Sequence, residues 1–155
     1  MKTTKGILLA GGRGTRLAPM TSVLNKHLIP IYDKPMIYYP LSTLMMCGIQ
    51  EIALVTNPED IPVFKRLLGD GSHLGIKITY FAQDNPNGLP EAFTITDVYL
   101  DGCKSVLILG DNLLVGQGLG ATLESHIQKP GASILAFPVN NPEDYGVVQF
   151  NQEGQ

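Results

Sequence analysis

The stretch Gly6-Ile7-Leu8-Leu9-Ala10-Gly11-Gly12-Arg13-Gly14-Thr15-Arg16-Leu17 decides how this chain folds. Ile7 to Ala10 is a short continuous apolar run, the pattern of a parallel strand buried on both faces. The run opens into Gly11, Gly12 and Gly14, which free the backbone for positive φ and for close approach to a ligand. Successive N–H groups in such a turn point into one concave space and bind anions. Arg16 adds a planar positive fork suited to phosphate oxygens. These parts describe a triphosphate cradle at the carboxyl end of the first strand. Two familiar glycine loops do not fit. Walker A ends in Gly-Lys-Ser/Thr, and this loop ends in Gly-Thr-Arg. The dinucleotide fingerprint needs a third glycine where Leu17 stands. A plain strand-to-helix turn accounts for the glycines and leaves the arginine at the mouth unexplained.

Working outward, Lys26-His27-Leu28-Ile29-Pro30-Ile31-Tyr32-Asp33-Lys34-Pro35-Met36-Ile37 places lysines between prolines. Pro30 and Pro35 exclude a helix and hold a stiff, extended loop. Lys26 supplies a second positive charge for the same phosphates. The pair L-A-G-G-x-G-T-R-L and K-x-L-x-P-x-x-D-K-P-M-I-Y-Y-P-L resembles the signature of the sugar-1-phosphate nucleotidyltransferases. The short spacing from Arg16 to Lys26, with Asp33 to Pro40, is most similar to the glucose-1-phosphate thymidylyltransferase branch. The resemblance runs from Lys5 to about Phe150.

The 155 residues suit one domain, 1–155, and 44% hydrophobic residues suffice for a core. A formal charge of -3 and a pI near 5.5 argue against a general nucleic-acid surface. Local positive charge at Arg13, Arg16, Lys26 and Lys34 matters more than the total. No apolar stretch is long enough to span a membrane, and Met1 to Lys5 has no signal-peptide pattern. Cys47 and Cys103 lack metal-ligand spacing and read as reduced thiols of a cytoplasmic protein.

Strand-like and helix-like segments alternate. Strands are expected at Lys5–Ala10, Glu51–Thr56, Ile76–Gln83, Ser105–Leu109, Ser133–Val139 and Gly146–Phe150. Helices are expected at Pro40–Cys47, from the turn Asn57–Asp60 to Leu68, at Pro90–Leu100 and at Gly118–Gln128. This order predicts an α/β fold with crossover units and a mainly parallel sheet. The resemblance implies a Rossmann-like nucleotidyltransferase layer sandwich, incomplete at its carboxyl end. Ligands of such sheets sit beyond the carboxyl ends of the strands. The Gly11 loop and Asp111 both lie there.

Val106-Leu107-Ile108-Leu109-Gly110-Asp111-Asn112 ends a buried strand with a carboxylate. Mg2+ takes oxygen ligands from carboxylate, phosphate and water. The resemblance implies that Asp111 is a ligand of Mg2+, where a lone Gly-Asp-Asn would read as a turn. Gln83 follows the third strand, and its amide can both donate to and accept from the imide edge of thymine or uracil. The resemblance implies base pairing by Gln83, close approach of the base at Gly88, and nucleotide contacts from Leu9, Gly11, Gly12, Gly14, Thr15, Arg16 and Asp111. It implies sugar contacts from Tyr145 and Gly146, and catalytic roles for Arg16, Lys26 and Asp111. Pro90 departs from the usual Gly-Leu-Ala pattern, at a position where proline is tolerated. His27, His73 and His126 have no ligand spacing and read as solvated or structural. Tyr32, Tyr38, Tyr39, Met36, Met45 and Met46 read as packing residues.

The resemblance also implies a Glu-Lys-Pro motif at the sugar phosphate and a second metal-binding aspartate, both placed in the family beyond the position of Phe150. Neither is in this sequence. The intact reaction would join dTTP, or UTP, to a sugar 1-phosphate, with dTDP-glucose and pyrophosphate as products of the thymidylyl case. The chain itself is expected to bind nucleotide with little turnover and to associate with a second copy through an uncovered edge. A regulatory or vestigial nucleotide-binding module, and a uridylyl- or cytidylyltransferase part, stay open beside it.

Overall fold

A computed structural model describes residues 3–12, 14–85 and 87–151. The strands are β1 (Lys5–Leu9), β2 (Pro30–Ile31), β3 (Lys34–Pro35), β4 (Glu51–Thr56), β5 (Lys77–Ala82) and β6 (Ser105–Leu109). The helices are α1 (Tyr38–Met46), α2 (Ile61–Leu68), α3 (Leu89–Leu100) and α4 (Leu119–Ile127). β5, β4, β1 and β6 lie in that order in one parallel sheet. β1 is central: Leu8 stands opposite Leu54 on one side and Ile108 on the other.

Side chains alternate across a strand, so a continuous apolar run feeds two cores. Leu8 and Ala10 enter one core with Leu54, with Leu41 and Leu44 of α1 and with Phe64 and Leu68 of α2. Ile7 and Leu9 enter the other with Val55 and with Ala92 and Leu100 of α3. The sheet is thus the middle of three layers. Each fully buried Leu, Ile or Phe side chain contributes roughly 1.5–3 kcal/mol relative to exposure. α3 begins just after Gly88, where φ is 99°, with Pro90 in its first turn. There the missing proline N–H costs the helix nothing.

The four sheet strands and four helices fall where the sequence places them, to within two residues at most ends. Within the extended proline segment, Pro30–Ile31 and Lys34–Pro35 pair as a small antiparallel hairpin. Two expectations need correction. Tyr32 sits at the hairpin turn with φ 61° and is 98% exposed, so it packs against nothing, and Met46 is half-exposed on α1. Ser133–Val139 and Gly146–Phe150 form no strand. A strand needs a partner as well as β-branched and aromatic residues. Among the described residues β6 pairs only with β1, and Ile134, Phe137, Val147 and Phe150 remain exposed. Cys47 is buried and Cys103 half-buried, both as free thiols. No helix of the described residues is long and apolar enough to cross a membrane.

Leu54 is fully buried at the middle of the sheet, and Val98 is 92% exposed on α3. Leu54→Ala should therefore lower unfolding free energy by about 2–5 kcal/mol, and Val98→Ala by less than about 0.5 kcal/mol. Urea midpoints read both. Equal shifts would mean that the core does not sit around Leu54.

Candidate functional site

A shallow concavity opens at the carboxyl ends of the sheet strands. Its floor is Leu9 of β1 and Leu109 of β6, and its rim is formed by Gly11, Gly12, Lys26, Asp111, Gln83 and Gly88. β1 is steered into it by three bonds at one residue. Ala10 N donates to Val55 O at 2.7 Å, while Ala10 O accepts from Thr56 Oγ1 at 2.9 Å and from Asn25 Nδ2 at 3.2 Å. Gly11 then passes so close to Gln83 that a Cβ there would stand 3.0 Å from Gln83 Oε1. Gly12 adopts φ 97° and Gly14 φ 57°, both strained for any residue with a Cβ. Gly14 O accepts from Thr21 Oγ1 at 2.8 Å, which closes the loop over Lys26.

A half-buried polar network holds this loop. Asp60 Oδ2 accepts from Asn25 Nδ2 at 2.7 Å and from Asn57 Nδ2 at 2.9 Å. A carboxylate only accepts, so both amides are oriented, and Asn57 Oδ1 is turned toward Gly12 N, 3.5 Å away. Asn25 Oδ1 accepts from His27 N at 3.0 Å and lies 2.7 Å from His27 Nδ1, which must carry the proton. His27 is buried, and burial with the neighbouring Lys26 charge pushes its pKa down to about 4. The ring is therefore neutral at pH 7. It packs on Gly110, where a Cβ would meet His27 Cδ2 at 2.6 Å. That contact requires glycine just before Asp111.

Lys26 Nζ lies 2.5 Å from Asp111 Oδ2 across the concavity. Burial disfavours ionisation of Asp111, but the Lys26 hydrogen bond and charge outweigh it, so the carboxyl titrates below its ordinary range. Opposite this pair, Gln83 is buried at the end of β5. Gln83 Nε2 donates to Glu91 Oε2 at 2.6 Å, and Asn87 Nδ2 donates to Glu91 Oε1 at 2.8 Å. These two hydrogen bonds, Gln83 first, hold the Glu91 carboxyl below its ordinary range.

The structure thus gathers Leu9, Gly11, Gly12, Lys26, Gln83, Gly88 and Asp111 at one concavity. Gly14, Thr15 and Arg16 continue the loop beside it, with Arg16 exposed in a short 3-10 turn. Tyr145 and Gly146 are exposed and do not line it. Arg13, named among the local positive charges, lies outside the described residues. Lys34 turns away to Asp33 at 2.9 Å and to the face of Tyr39 at 4.7 Å. Among the described residues no group of three His, Cys, Asp or Glu side chains could hold a metal ion. Asp111 supplies one carboxylate, which fits Mg2+ only if phosphate oxygens and water complete its shell. Sequence reasoning missed the Asn25–Asn57–Asp60 network and the role of Glu91. Asn25 was visible as a capping residue ahead of Lys26. Glu91, eight residues after Gln83, carried no signal beyond its place in the first turn of α3.

The profile described as nucleotidyl transferase matches residues 5–155. Over 150 residues the chain is 53% identical to the glucose-1-phosphate thymidylyltransferase of Mycobacterium tuberculosis, covering 97% of this chain and 52% of that protein. It is 52% identical over 149 residues to the enzyme of that name from Neisseria meningitidis, covering 96% and 52%. The chain spans about half the length of the curated relatives it matches. A crystal structure from Bacillus anthracis, assigned as a glucose-1-phosphate thymidylyltransferase with sucrose bound, superposes with a TM-score of 0.87. It is 37% identical, and the match covers 97% of this chain and 61% of that one. With a matching family profile over nearly its whole length, this chain belongs to the nucleotidyl transferase family.

Proposed function

We propose that this chain carries the nucleotide half of a site that transfers a thymidylyl group from dTTP to glucose 1-phosphate, giving dTDP-glucose and pyrophosphate. The observation that carries the reading is that Gly11 and Gly12, just past the central strand, line one concavity with Lys26 and Asp111. The names of the relatives support the base and the sugar. In this reading a phosphate oxygen of the sugar attacks the α-phosphorus of dTTP in line. A new P–O bond forms as the bond to pyrophosphate breaks. No covalent enzyme intermediate is needed, because positioning and charge neutralisation carry such a step.

The loop glycines present N–H groups to the phosphates without side chains in the way. Lys26 and Arg16 neutralise charge that builds on the departing pyrophosphate. Asp111 would hold Mg2+, which would supply positive charge against the phosphate oxygens. Lys26 pairs with that same carboxylate, so loading the site separates them and frees the ammonium for phosphate. Leu9, Leu109 and Leu89 give the base apolar surface, and Gly88 lets it approach backbone. Thymine and uracil differ by one methyl group, worth roughly a kcal/mol of burial, so a uridylyl preference differs from this reading only slightly. A second reading, nucleotide binding without turnover, is favoured by one observation. Tyr145 and Gly146, expected at the sugar, stand away from the concavity. Self-association through the open edge of β6 belongs to the same proposal.

Two substitutions test the roles. Arg16→Ala removes a charged donor worth about 1.5–3 kcal/mol. It should weaken dTTP binding about tenfold to a hundredfold in calorimetric titration and leave thymidine binding unchanged. Equal weakening of both ligands would remove Arg16 from the phosphate site. Asp111→Asn keeps shape and removes charge. The strengthening of dTTP binding by Mg2+ should disappear while the unfolding midpoint stays close to the parent value. Undiminished Mg2+ dependence would place the metal elsewhere.

A further inference from the structure

Gln83 is 4% exposed, lines the concavity, and commits one amide hydrogen to a carboxylate. Its Oε1 faces the bare Cα of Gly11, where a Cβ would stand 3.0 Å from it. From this arrangement we infer that Glu91 sets the base preference of the site by locking the orientation of the Gln83 amide. The inference rests on the reading that Gln83 meets the nucleotide base.

An amide side chain can flip, exchanging a donor for an acceptor at nearly the same position. Glu91 removes that freedom. Its ionised carboxylate only accepts, so Nε2 must face it at 2.6 Å. A flip would set Oε1 against Glu91 Oε2, two acceptors in contact, and would forfeit a charge-assisted hydrogen bond. Asn87 holds the other oxygen of Glu91 at 2.8 Å, so the carboxylate cannot rotate away to permit the flip. The locked amide offers Oε1 and one remaining N–H. Oε1 accepts the ring N–H of thymine or uracil. Cytosine presents a bare ring nitrogen at that position, which Oε1 leaves unpaired and to which only a flipped amide would bring its donor. Discrimination of this kind works by leaving a buried group unpaired with the wrong base. Glu91 touches no ligand in this account. It is a positioning residue that acts through Gln83.

The signature of such a lock is a gain for the wrong nucleotide. Glu91→Gln replaces an acceptor-only partner by an amide that satisfies either orientation of Gln83. The competent orientation for dTTP then falls to about half, so dTTP binding weakens only about twofold. The orientation that suits dCTP loses its penalty, so dCTP binding strengthens. Equilibrium titration of the full chain with dTTP, dCTP and pyrophosphate should show the ratio of dCTP to dTTP dissociation constants falling about tenfold. Pyrophosphate affinity reports any change due only to the removed charge, which alters all three ligands alike. An unchanged ratio, or equal weakening of dTTP and dCTP, would overturn the role of Glu91. Gln83→Ala separates the two layers of the claim. It should erase the ratio. If Gln83→Ala leaves the ratio intact, Gln83 does not meet the base and both readings fail. If it erases the ratio and Glu91→Gln preserves it, only the lock fails.

Discussion

Parallel pairing of β1 with β4 on one side and β6 on the other is the constraint on which the rest depends. Parallel strands end at the same rim, so the residues just past each strand end must meet. β1 delivers Ala10 and the glycine loop, β4 delivers Thr56 and Asn57, β5 delivers Gln83, and β6 delivers Gly110 and Asp111. The alternating burial of Ile7, Leu8 and Leu9 in two cores holds β1 in place. A one-residue slip would exchange those faces and bring Gly6 and Leu8 into the wrong cores. The chemistry at the rim is therefore indexed by apolar packing several ångströms below it.

Two carboxylates then do at the rim what the strands cannot. Asp60 and Glu91 are acceptors only, and each helps to orient the amides that donate to it. Asp60 turns Asn25 and Asn57 so that their oxygens face His27 and the glycine loop. Glu91 holds Gln83 by its Nε2, with Oε1 set against Gly11. Neither carboxylate needs to contact a ligand. They fix donor and acceptor positions in advance, which is what a recognition site requires. Lys26 and Asp111 are different, since each is the partner of the other.

Much of this was legible in the sequence. The continuous apolar run of β1 and the glycines after it fixed the strand, the turn and the rim. Asp111 was legible because a glycine and a carboxylate end an apolar strand. The segment 133–150 was not, because its apolar residues carry strand propensity, and propensity without a partner forms no ladder. Tyr32 was not legible either: an aromatic in an apolar neighbourhood suggests packing, whereas its positive φ places it at a hairpin turn. His27 and Glu91 could not be assigned from spacing. Their roles depend on contacts between segments distant in sequence, Gly110 for the first, or on an amide's orientation, Gln83 for the second.

The central claim is that one nucleotide occupies the rim formed by these four strand ends. Backbone and side-chain amide resonances of the isotope-labelled chain, followed during titration with dTTP and Mg2+, test it most directly. The account predicts that the largest shifts fall on Gly11, Gly12, Gly14, Gly88 and the Gln83 side-chain amide, with residues near the exposed Val98 of α3 and in the segment 133–150 unmoved. Shifts concentrated near Val98 or in 133–150, or no shifts at saturating dTTP, would contradict it.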